Sequence, residues 1–127
     1  MGDVDLEFKP TVPVFDGNIS LGRRHYKRVS EDSVEGTLEA IGKANIQRAL
    51  VYSPHAAYWD PGEGNQILLD SIRKHPNLYP QLVANPLDDI KAFMVQAKDE
   101  NIRSVRMLPM LHQYPFLDWA VKPWLDW

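Results

Sequence analysis

Polar side chains at alternate positions of an apolar segment are how a β-strand presents functional groups to one side of a sheet. Residues 11–20, TVPVFDGNIS, have this form, and strict alternation puts Val12, Val14, Asp16, Asn18 and Ser20 on one face. Asp16 offers a carboxylate for acid–base work; Asn18 and Ser20 offer neutral groups that could orient a ligand. In a second segment, IRSVRMLP (102–109), Arg106 alternates with Val105 and Met107. If those two face helices, Arg106 points the other way, where a guanidinium out of water needs an anionic partner. An internal ion pair with Asp16 is the first reading of that arginine, and a substrate carboxylate is the second.

Histidines and amides supply the remaining candidates. The stretch SPHAAYWDPGEGN (53–65) reads as a loop offering His55, Tyr58, Trp59 and Asp60, a mix suited to enclosing a small ligand. An imidazole is the natural general base near neutral pH, which makes His55 the catalytic candidate of this loop, although simple exposure is the plainer reading. His112, in MLHQYP, and Asn85, just before Pro86, could reach the same region; capping the next helix explains Asn85 equally well. Gly62, Gly64 and Asn65 read as turn and cap residues, and His75 as a residue at a helix end. The spacing of Asn18, His55 and His112 matches no metal or triad motif.

These residues must be held by a soluble α/β frame. With 127 residues, 44% hydrophobic and 24% charged, the chain has the make-up of one globular domain. A net charge of −3 gives no reason to expect nucleic acid. The one dense basic run, RRHYKR (23–28), reads first as a solvated loop, with His25 a distant candidate for a phosphate or carboxylate. The absence of cysteine excludes disulfides and thiolate metal sites. No apolar run approaches the ~20 residues that cross a bilayer. The acidic opening MGDVDLEFKP is unlike a signal peptide, so a cytoplasmic location without a membrane partner is expected.

Four apolar runs, 11–20, 46–54, 78–86 and 102–109, alternate with segments of helical period. Val34, Leu38 and Ile41 mark one helix, with Asp32 and Glu35 spaced to cap it. Leu68, Leu69 and Ile72 mark another, stopped before Pro76, and Ile90, Phe93, Met94 and Ala97 a third. KANIQRALVYSP (43–54) and DENIRSVRMLP (99–109) repeat one design, in which Asn45 and Asn101 suit the left-handed residue that closes a helix. Helices between strands imply a parallel sheet. FLDWAVKPWLDW (116–127) begins like a fourth helix and concentrates three tryptophans, expected to meet something beyond this chain. A closed barrel of eight such units takes about 250 residues. Four strands with three to four helices are therefore expected to be the first half of a TIM (β/α)8 barrel, cut within its fourth helix.

The chain resembles the amidohydrolase-related superfamily, in the branch called amidohydrolase family 2. The resemblance rests on VFDGNISLG, on IGKANIQRALVYSPHAAYWDPGEGNQILLDSIRKHPNLYPQLVANP, and on ENIRSVRMLP. The middle stretch is the most specific, joining Ile-x-x-Ala-Leu-Val, Gly-Asn, His-Pro and Asn-Pro in order. The match runs from about Val12 to Trp127 and covers the first half of the family's domain. It implies a barrel with its active site at the C-terminal ends of the strands, and hydrolysis or decarboxylation of a small substrate, commonly with zinc. The family's His-x-His falls on Asn18-Ile19-Ser20, neither of which is a good zinc ligand. No metal or other cofactor is therefore expected of this chain, which alone is expected to be inactive.

Two functions follow as expectations. The first is an amidohydrolase-related protein that binds a small anionic substrate through Arg106, Asn18, Ser20, His112 and Asn85, with His55 and Asp16 as catalytic candidates. The second is a non-catalytic half-barrel that self-associates, or is completed by a partner, through an open sheet face and its tryptophans. A flavodoxin-like sheet fits the pattern too, but NISLGRR supplies its phosphate loop only loosely.

Overall fold

A computed structural model describes residues 9–24 and 32–126. The chain is a mixed α/β structure with parallel strands. Strand β1 (Phe15–Ser20) is followed by α1 (Val34–Lys43) and β2 (Arg48–Tyr52). Two helices follow, α2 (Pro54–Tyr58) and α3 (Pro61–Ile72), then β3 (Leu78–Pro80) and β4 (Leu82–Ala84) with only Gln81 between them. Helix α4 (Ile90–Asp99), β5 (Val105–Met107), α5 (Pro109–His112) and α6 (Asp118–Leu125) complete the order.

Strands β1, β2 and β3 form one parallel sheet and β4 pairs with β5 in another, also parallel. Gln81 joins them. Its N–H donates to Val51 O at 2.8 Å, and the next N–H, from Leu82, donates to Ser104 O at 3.3 Å. One run of chain thus leaves β2 and joins β5, and the strands follow one another in space as they do in sequence. Helices α1, α3 and α4 cover one face, burying Ile41, Leu68, Leu69, Ile72, Phe93 and Ala97 against Ala49, Val51, Leu78, Leu82 and Ala84. The described residues form no closed barrel. None of their helices is long and apolar enough to cross a membrane.

The helices form where apolar stripes meet caps. Ser33, not Asp32, caps α1, its Oγ accepting from Gly36 N. Asp89 caps α4. Asn45 (φ 56°) and Asn101 (φ 51°) take the left-handed conformation expected at the ends of α1 and α4. The segment 53–65 is helical rather than a loop: Ser53 with Pro54 starts α2, and Asp60 with Pro61 starts α3. Gly64 and Asn65 are not turn or cap residues but lie buried within α3. A Cβ on Gly64 would come within 2.1 Å of Ala56 N, so glycine is what lets α3 lie against α2. The tryptophans divide. Trp124 is buried on Phe93, with ring centroids 5.1 Å apart, whereas Trp119 is 74% exposed; Trp127 and His25 lie outside the described residues.

Candidate functional site

Strand β1 does not alternate evenly. Asp16 is level with Ala49 and Ile19 with Val51, so three steps on β1 oppose two on β2, a β-bulge across Gly17 and Asn18. Ala49 and Val51 face the helices. The bulge therefore separates Asp16 from Asn18 and Ser20, which the alternation had placed on one face. Asp16 turns inward on its own strand, Oδ1 accepting from Asn18 N at 2.9 Å.

The face opposite the helices gathers a polar group around Arg106. Val105 and Met107 pack on the core, and Arg106 projects the other way. Its Nε donates to Gln81 Oε1 at 2.7 Å and its Nη2 to Asn18 Oδ1 at 2.6 Å. The guanidinium carbon lies 3.9 Å from the centroid of the Tyr52 ring, a stacked cation–π arrangement. Gln81 is itself oriented, its Nε2 donating to Ser104 Oγ at 2.8 Å. The expected Asp16–Arg106 ion pair is absent, because the bulge turns Asp16 away. Among the described residues no carboxylate lies within ion-pair distance of Arg106. A guanidinium has five N–H donors; two are used here, and both on Nη1 remain.

Ser20, level with Tyr52, adds a second arginine to this face. Its Oγ accepts from Arg24 Nε at 2.9 Å and lies still closer to Nη2. Beside this group, α2 lays Ala56 and Ala57 over Val83, with Tyr52 and Leu108 packed alongside. Val83 is level with Arg106 on the neighbouring strand.

The other candidates lie outside this cluster. His55 Nε2 pairs with Glu63 Oε2 at 2.9 Å, with its side chain 39% exposed. His112 Nε2 meets Ala57 O at 2.7 Å; since a carbonyl only accepts, this nitrogen carries the proton and ties α5 to α2. Its Nδ1 and the Tyr114 hydroxyl are buried without a hydrogen-bond partner among the described residues. Burial pushes the Tyr114 hydroxyl pKa up, against a smaller opposing effect of the Leu108 backbone. Asn85 makes a turn, accepting from Leu87 N at 3.0 Å through Oδ1 and from Asp88 N through its backbone carbonyl.

The first-strand positions do not fit a divalent metal. Asn18 Oδ1 and Ser20 Oγ are neutral, and each already accepts from a guanidinium, whose charge would repel a cation. No group of three or more His, Asp or Glu among the described residues could hold one. Sequence reasoning found Arg106, Asn18 and Ser20 but missed Tyr52, Gln81, Ser104 and Arg24. Gln81 carried a signal, as a polar residue inside the apolar run LYPQLVANP. Comparison of the chain with models of known protein families, with curated proteins and with solved structures finds no match.

Proposed function

We propose that this chain is the first half of an amidohydrolase-like (β/α)8 barrel, and that the protein binds a small anionic molecule on the open face with Arg106 as the anion-binding residue. Consecutive parallel strands with three helices on one face support the frame. Hydrolysis or decarboxylation is the reaction class that comes with the resemblance. His55 and Asp16 are not assigned to it, since one pairs with Glu63 and the other with the backbone of its own strand. No metal step is assigned to Asn18 or Ser20.

Arg106 carries the reading. A half-buried cation loses hydration, and two neutral amide oxygens with an aromatic face return only part of it. A ligand carboxylate against the free N–H bonds would complete the set, with the planar fork favouring two contacts at once. Calorimetric titration of the chain with butyrate tests this. Butyrate is expected to bind, and Arg106→Gln is expected to lose about tenfold to a hundredfold in affinity. Equal binding by a folded Arg106→Gln variant, judged by circular dichroism, would remove the anion site.

A second reading, a half-barrel that pairs with its own copy, is supported by β1 and β5, each paired on one side only among the described residues.

A further inference from the structure

Strand β1 holds not one arginine but two. Asn18 accepts from Arg106 and Ser20, two residues on, accepts from Arg24. Two residues along a regular strand span about 6.6 Å, an upper bound here because the bulge reaches Asn18. Ser20 is level with Tyr52, and Arg106 stacks on the Tyr52 ring, so both guanidinium groups converge on one corner where β1 and β2 end. Both are half-buried. Neither has a carboxylate within ion-pair distance among the described residues. Like charges brought together repel, and the repulsion grows as water is displaced. Neutral side chains fix where the arginines stand without cancelling their charge.

Resting on the Arg106 reading above, we propose that the ligand is a small dicarboxylate, one carboxylate held by Arg106 and the other by Arg24. At Asn18 and Ser20 the chain fixes two cations of its own, and what they recognise is anionic. The separation of the anchors favours two carboxylates on a short carbon spacer over a single phosphate, whose charged oxygens surround one phosphorus. Tyr52, lying under one guanidinium and beside the anchor of the other, gives the spacer an apolar surface.

The test is calorimetric titration of the whole chain at about 0.15 M salt, where diffuse attraction is screened. The probes are succinate, glutarate, butyrate and inorganic phosphate. Succinate or glutarate is expected to bind at least about tenfold more tightly than butyrate, as a second charge-assisted contact requires. Arg24→Gln should bring that ratio close to one, and Arg106→Gln should weaken every carboxylate. Ser20→Ala, which frees Arg24 without removing its charge, should lower the ratio part of the way. Butyrate binding that depends on Arg106, with no preference for dicarboxylates, would overturn the second contact and leave the Arg106 site standing. Phosphate binding more tightly than either dicarboxylate, with both arginines required, would overturn the dicarboxylate assignment. If no carboxylate binds, this inference and the Arg106 site both fall. Circular dichroism of each variant establishes that the ratios compare folded proteins.

Discussion

Arg106 and Asp88 show opposite ways in which this fold leaves charge uncompensated. Arg106 is held on the open face by neutral groups that leave its charge unpaired among the described residues. Asp88 stands in a cleft of about 400 Å³ at the first turns of α3 and α4, where the capping carboxylates of Asp60 and Asp89 also lie. Burial first, and then the Asp60 charge, push the Asp88 carboxyl above its ordinary value, with His112 acting weakly in the other direction. A raised folded-state pKa means that the folded chain holds this proton more tightly than the unfolded chain. The contribution is therefore favourable below the ordinary carboxylate range and is lost as pH rises through the folded-state pKa. Asp88→Asn removes that loss. Urea denaturation should find the variant more stable than wild type at about pH 7, by less than about 1 kcal/mol because the group is largely solvated. The difference should vanish at about pH 3, and a variant less stable than wild type at neutral pH would contradict the assignment.

The register of β2 explains why α3 carries a buried amide. Strand β2 ends at Tyr52, but the chain across from it continues into β4, whose Val83 would have no backbone partner on that side. Asn65 takes the place of the missing strand, its Nδ2 donating to Val83 O at 2.8 Å and its Oδ1 accepting from Val83 N at 2.9 Å. Asn65 is 1% exposed, so no water can substitute. Asn65→Leu would leave both backbone groups unpaired, at about 1–3 kcal/mol each. A loss of several kcal/mol in chemical denaturation is expected, and a loss below about 1 kcal/mol would show that Val83 finds other partners. None of this was legible in GEGNQ, which reads as a turn and cap because its partners lie in a distant strand. The helical stripes and the two left-handed asparagines were legible, since period and cap are properties of a short window. The bulge at Gly17 and Asn18 was not, because only the pairing with β2 reveals the extra residue. One residue of slip was enough to change the face of Asp16 and undo its expected ion pair with Arg106. Ser53-Pro54 and Asp60-Pro61 did carry start signals for α2 and α3, hidden by the turn-like composition around them.

The sheet as a whole is covered on one face, where α1, α3 and α4 lie, and only in part on the other, where α2 packs on Val83. Phe15 and Tyr79 meet on that second face and remain 48% and 40% exposed. Parallel sheets ordinarily bury both faces, and free strand edges invite pairing. Because all strands run one way in consecutive order, a twofold axis along the strand direction would set the β5 edge of one copy beside the β1 edge of the other, twice over. Eight runs of chain, with β3 and β4 counted as one, would then enclose the Arg106 faces of both copies. Helix α6 packs on α4 through Trp124 and Phe93 and turns Trp119 outward, a large apolar side chain available to a neighbouring helix layer. On this second reading, light scattering in line with size-exclusion chromatography gives twice the chain mass of 14.6 kDa. Trp119→Glu, which places a charge on this exposed site without touching the core, should return the mass to that of one chain or shift the equilibrium at least about tenfold towards it. A monomer at every concentration would reject closure by a second copy. A dimer indifferent to Trp119→Glu would place the contact on the strand edges and sheet face rather than on the helices.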